Sequence, residues 1–109
     1  VSDELLKVER DGKIAVLVSP GFGAGWFTWG EEYPQCLFHP KLVEMVEAGD
    51  REKINGKLME TLGMKDFYTG GARDLEVVWM EKGTQFMIEE YDGSETLRYR
   101  GDDKLWTTA

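Results

Sequence analysis

At 109 residues, the chain is long enough for one cooperative domain with its own core and too short for two ordinary ones. Hydrophobic residues make up 41% and charged residues 31%, a globular rather than a disordered composition. The 21 acidic residues outnumber the 13 Lys and Arg for a formal charge of -8, which argues against nucleic acid or an anionic membrane as partner unless positive residues cluster locally.

In chain order, the first ten residues, VSDELLKVER, are compatible with a short helix or a strand. Asp11-Gly12 is a two-residue turn signal. The KIAVLVS that follows reads as a strand, with Ile14, Val16 and Val18 on one face and Ala15 and Leu17 on the other. Two apolar faces predict a central or doubly covered strand, with Leu5 to Val8 as a hairpin partner. Beyond Pro20 lies GFGAGWFTWG, residues 21–30, and then Tyr33 to Phe38 as a short extended segment.

In HPKLVEMVEAG, Leu42, Val43, Met45 and Val46 recur at helical spacing, which predicts a helix from Pro40 to Ala48 stopped by Gly49. Asp50 is expected to cap a second helix carrying Ile54, Leu58 and Leu62 four apart, with Gly56 costing it about 1 kcal/mol relative to alanine. GMKDFYTGGA, residues 63–72, reads as a loop. Three strands follow, marked by Leu75, Val77 and Trp79, by Phe86 and Ile88, and by Leu97 and Tyr99, with tight turns at residues 81–83 and at Asp92-Gly93. The expected fold is α+β: a small antiparallel or mixed sheet of four to five strands with two short helices between the N-terminal strand and a C-terminal meander. A twisted partial barrel and an oligomer paired through sheet edges are the alternatives. Alternation is lost from Arg98 onward, and residues 101–109 are expected to form a flexible or partner-packed tail containing Trp106.

The glycine-aromatic stretch is the first candidate site. A dinucleotide-binding turn starting at Gly21 fails because Trp26 stands where the third glycine is required, and no Lys followed by Ser or Thr supports a phosphate-binding P-loop. The glycines can instead hold Phe22, Trp26, Phe27 and Trp29 against a planar ligand, with Thr28 adding a hydroxyl, or they can let the rings close the core. The second candidate is YTGGAR, in which glycine backbone donors, Tyr68, Thr69 and the Arg73 guanidinium form a coherent anion site; the alternative is a helix-to-strand turn with a surface arginine. Arg98 and Arg100 share a strand face and read as surface ion-pair partners.

Other chemistry finds little support. Cys36 is the lone cysteine, so no intrachain disulfide is expected, and with His39 it makes too few ligands for zinc. Packing and capping are the expected roles of these two residues. Glu89 and Glu90 point to opposite strand faces, so they are not a ready acid/base pair. Ser19, which precedes Pro20, is the least poor nucleophile but sits in no recognisable elbow. No catalytic residue, metal or cofactor is expected.

Together, GFGAGWFTW, DFYTGGARDLEVVW and KGTQFMIEEYDGSE resemble a family of small, poorly characterised proteins of bacteriophages and prophages, over about residues 13 to 97. The resemblance implies a phage or bacterial cytoplasmic setting and an accessory protein rather than a metabolic enzyme. A further association is with phage proteins that sequester nucleotide immune signals, to which aromatic stacking and Arg73 would be suited; no ligand is carried over. The leading expectation is a homo-oligomeric binding protein for a small anionic or nucleotide-like ligand, its site built from residues 21–29 and 68–73, with no direct nucleic-acid or membrane contact. The alternatives are an acidic module that inhibits a host nucleic-acid-binding protein and a small hydrolase.

Overall fold

The computed structural model describes residues 6–20, 25–27, 33–91, 94–99 and 107–108. The architecture is α+β, with two short helices between the N-terminal strands and the C-terminal ones. β1 (Glu9–Arg10) and β2 (Lys13–Val18) form a tight hairpin. Asp11 and Gly12 both take positive φ, 52° and 77°, as a two-residue turn matched to strand twist requires. The strand partners are Glu9 and Arg10, next to the turn, rather than Leu5 to Val8; a bond from Ala15 N to Val8 O at 3.0 Å extends the pairing back to Val8, and Leu5 lies outside the described residues.

β2 is apolar on both faces, and Ile14 to Val18 are all buried. Such a strand needs a neighbour on each edge and cover on both sides. β1 is only two residues long, so the second edge is filled by β3 (Glu76–Glu81), antiparallel over the full length from Lys13 opposite Glu81 to Val18 opposite Glu76. The C-terminal strands therefore divide. β3 joins β1 and β2, while β4 (Gln85–Tyr91) pairs with β5 (Ser94–Tyr99) in a second sheet. β6 (Thr107–Thr108) returns to β4 on its other edge, so the end of the tail is paired within its own chain; Trp106 lies outside the described residues. The sheets meet where β2 ends, through Glu95 N donating to Ser19 O at 2.9 Å.

Helix α1 spans Pro40–Ala48 and packs Leu42, Val43, Met45 and Val46 into the core against β2 and β3. Its boundaries follow from chemistry at each end. His39 Nδ1 accepts the Lys41 amide at 3.1 Å, Pro40 supplies a first-turn residue whose missing donor costs nothing, and Gly49 ends the helix at φ 81°. Tyr33 to Phe38 is not extended: Pro34–Leu37 forms a 3₁₀ turn that buries Cys36 and Leu37.

The second helix differs from expectation. Asp50 makes no side-chain cap; Arg51–Lys53 forms a 3₁₀ turn, and α2 covers only Gly56–Thr61. Asn55 is the cap, its Oδ1 accepting from Leu58 N at 2.9 Å. Gly56 therefore opens the helix instead of interrupting it, and the interior-glycine penalty does not apply. Ile54 is buried ahead of α2, Met59 supplies its buried contact, and Leu58 and Leu62 are half-buried.

Candidate functional site

Two sequence-distant glycine stretches meet at the end of β2. The carbonyl of Gly25 lies where a Cβ on Gly71 would stand, and Ser19 Oγ would be 3.0 Å from that Cβ. Gly71 has φ -87°, within reach of any residue, so glycine is required here for close backbone approach and not for its conformation. Ser19 Oγ donates to Gly71 O at 2.9 Å and locks the approach.

A buried carboxylate organises the same junction. Glu95, at the start of β5, is 0% exposed. Its Oε1 accepts from Ser19 N at 3.1 Å and its Oε2 from Trp26 N at 2.7 Å, so it grips the chain on both sides of residues 20–25. A carboxylate accepting backbone N–H bonds out of water gains charge-assisted bonds that offset part of its desolvation.

Trp26 itself is 0% exposed. Its ring centroid lies 4.7 Å from that of Phe67, and its indole Nε1 donates to Cys36 O at 3.0 Å. Of the two roles its sequence setting left open, the ring takes the core role. With its N–H bonded to a backbone carbonyl and no surface uncovered, it has no face to offer a ligand. Phe22, Thr28 and Trp29 lie outside the described residues.

The YTGGAR stretch ends in a 3₁₀ turn, Ala72–Asp74, closed by Ala72 N to Thr69 O at 3.0 Å and Asp74 N to Gly71 O at 3.2 Å. Gly71 and Ala72 face inward, while Gly70, Arg73 and Asp74 are exposed. The Tyr68 ring lies across Gly70, where a Cβ would run into it, yet remains 52% exposed.

Arg73 shares its surroundings with Arg51, a residue that no motif in the sequence marks as part of a site. Arg51 Nε donates to Leu75 O at 2.7 Å, a bond that fixes the guanidinium against the turn. Arg51, Arg73 and Asp74 form a ridge between two open clefts of about 400 and 430 Å³. One cleft adds Pro20, Leu75 and Glu76; the other adds Glu52, Ile54, Thr69 and Gly70. Among the described residues, neither guanidinium is ion-paired, nor is Glu52, Asp74 or Glu76. Thr69 and Arg73 thus belong to one cleft, whereas Tyr68 is exposed and Trp26 is buried in the core, and neither lines it.

Two residues outside the cleft are accounted for by structure. Burial, reinforced by the negative charge of Glu95, pushes the Cys36 thiol well above the ordinary thiol range, so at neutral pH it is a protonated core side chain. Burial lowers the pKa of His39, consistent with a neutral ring whose Nδ1 accepts at the helix cap. Among the described residues no group of three or more His, Cys, Asp and Glu is placed to hold a metal ion, and no helix is long and apolar enough to cross a membrane.

Glu95 also went unnoticed in the sequence. Its signal was alternation: it shares a strand face with Leu97 and Tyr99, so an inward-facing carboxylate was legible at that position. No family model matches the chain, and neither characterised proteins nor solved structures yield a significant match.

Proposed function

We propose that this chain is a non-enzymatic accessory protein of phage or bacterial origin, working in the cytoplasm, that binds a small anionic, nucleotide-like ligand on the Arg51–Arg73 ridge. The observation that carries this reading is the pair of guanidiniums without ion-pair partners over a shared cleft, one anchored through Nε to Leu75 O. An anchored guanidinium still presents its terminal N–H groups in a planar fork suited to phosphate or carboxylate, and less rotamer freedom is lost on binding. Gly70 and Thr69 line the same wall.

Binding rather than catalysis is favoured by the lining. It holds two guanidiniums, carboxylates and a threonine, a set suited to holding a charged ligand. The homo-oligomer expected from the sequence stands as part of the same proposal, with copies of this chain as the partner.

Calorimetric titration of the purified protein with inorganic phosphate, pyrophosphate and nucleoside monophosphates tests the reading. We expect saturable binding that weakens about 10-fold or more in Arg73→Ala and in Arg51→Ala, the loss of one charged hydrogen-bonding group, with thermal unfolding of Arg73→Ala unchanged. Absence of saturable binding for all of these anions would overturn it. Native mass spectrometry of the same sample reads subunit number and any co-purified small molecule.

A further inference from the structure

Resting on the anion-binding reading, the unpaired carboxylates beside the arginines narrow the ligand class. Glu52 and Asp74 line the same cleft as Arg51 and Arg73, and Glu76 lines the neighbouring one. A site for a bare anion would not surround two guanidiniums with three carboxylates, because each carboxylate within reach repels the ligand it is meant to hold. Nor are these charges consumed in pairing with each other: among the described residues none of the five is in an ion pair. The arrangement complements a molecule that is anionic at one end and a hydrogen-bond donor at the other.

We propose that the cleft selects a nucleoside monophosphate whose base carries an exocyclic amino group, with the phosphate on Arg51 and Arg73 and the amino group donating to the Glu52 carboxylate. Ile54 and Ala72 supply the apolar part of the wall and Thr69 a hydroxyl, in a cleft of about 430 Å³. That volume lies near the low end of small-molecule sites, about 300–1,000 Å³, which suits one nucleotide and not an oligonucleotide. Discrimination arises because an ionised carboxylate only accepts hydrogen bonds. It gains a bond from an amino group and is repelled by a carbonyl oxygen at the same place.

Cytidine and uridine monophosphates are the decisive probes, since they differ at one ring position by an amino group against a carbonyl oxygen. Calorimetry on the full chain is expected to show cytidine monophosphate binding at least about 10-fold more tightly than uridine monophosphate. Glu52→Gln, an exposed and nearly isosteric change, should erase that preference by gaining affinity for the uridine compound, because its amide can donate to the carbonyl. Thermal unfolding of Glu52→Gln should match the parent, so that a change in selectivity is not a loss of fold. Equal affinity for the two nucleotides, both still weakened by Arg73→Ala, would overturn this inference and leave the anion site standing. Failure of both nucleotides and of inorganic phosphate to bind would overturn both.

Discussion

Glu95 and Gly71 are the residues on which the geometry of the ridge depends. Replacing Glu95 with alanine strips two buried amides, Ser19 N and Trp26 N, of their acceptor. Each orphaned donor costs about 1–3 kcal/mol, so urea unfolding of Glu95→Ala should show a loss of several kcal/mol, roughly the sum for two donors. Glu95→Gln, which keeps one accepting oxygen, should lose less. Gly71→Ala drives a methyl into the Gly25 carbonyl, a backbone group that cannot step aside, and should cost about 1–3 kcal/mol or more. At Gly70 the obstacle is the Tyr68 side chain, which can rotate away. Gly70→Ala should therefore unfold at nearly the parental urea midpoint, and a comparison of the two midpoints measures the difference directly.

At the scale of elements, α1 carries a pH dependence in its cap. His39 has a folded pKa below its ordinary 6.5 because burial disfavours the charged ring. The unfolded chain then binds more protons in that window, so stability is fully present above pH 6.5 and declines as pH falls towards the lowered folded value. Protonation also removes the Nδ1 lone pair that accepts the Lys41 amide. The expected outcome is a melting temperature that falls between pH 7.5 and 5.5, with the fall reduced in His39→Asn, whose amide oxygen caps without titrating. α1 was fully legible in the sequence because its apolar spacing, its Pro40 start and its Gly49 stop agree. α2 was not, because Ile54, Leu58 and Leu62 satisfy helical spacing whether or not the first of them is helical, and Asp50 and Asn55 are equally good caps. The division of the last three strands was hidden for a related reason. Alternation fixes which face a strand buries but not which strand it pairs with, and β2's need for a second neighbour decided where β3 went.

For the whole molecule, the two sheets and the helices bury side chains in one continuous cluster, in which Phe38 beside α1 meets Phe86 of β4 edge-on at 6.3 Å between ring centroids. A single core predicts a single transition. Unfolding in urea followed by tryptophan fluorescence and by far-ultraviolet circular dichroism should give coincident midpoints, whereas separated midpoints would mean that the second sheet unfolds on its own. The candidate site was legible only in part at this scale. Thr69 and Arg73 were identified from local chemistry, but Arg51 reaches them through the chain path that brings the 3₁₀ turn at Arg51–Lys53 against the one at Ala72–Asp74. No local spacing encodes that approach.

The Glu95 grip on Ser19 and Trp26 spans 76 and 69 residues of chain. During synthesis at about 5–20 residues per second, the glycine-rich stretch emerges long before the carboxylate that holds it, and closing so long a loop is an entropic step that follows local hairpin and helix formation. Nascent chains stopped before β5 therefore carry the arginines without the junction that orders the wall beside them. The cleft proposed as a binding site is thus braced only once β5 has been synthesised, because Glu95 supplies the grip on Ser19 and Trp26.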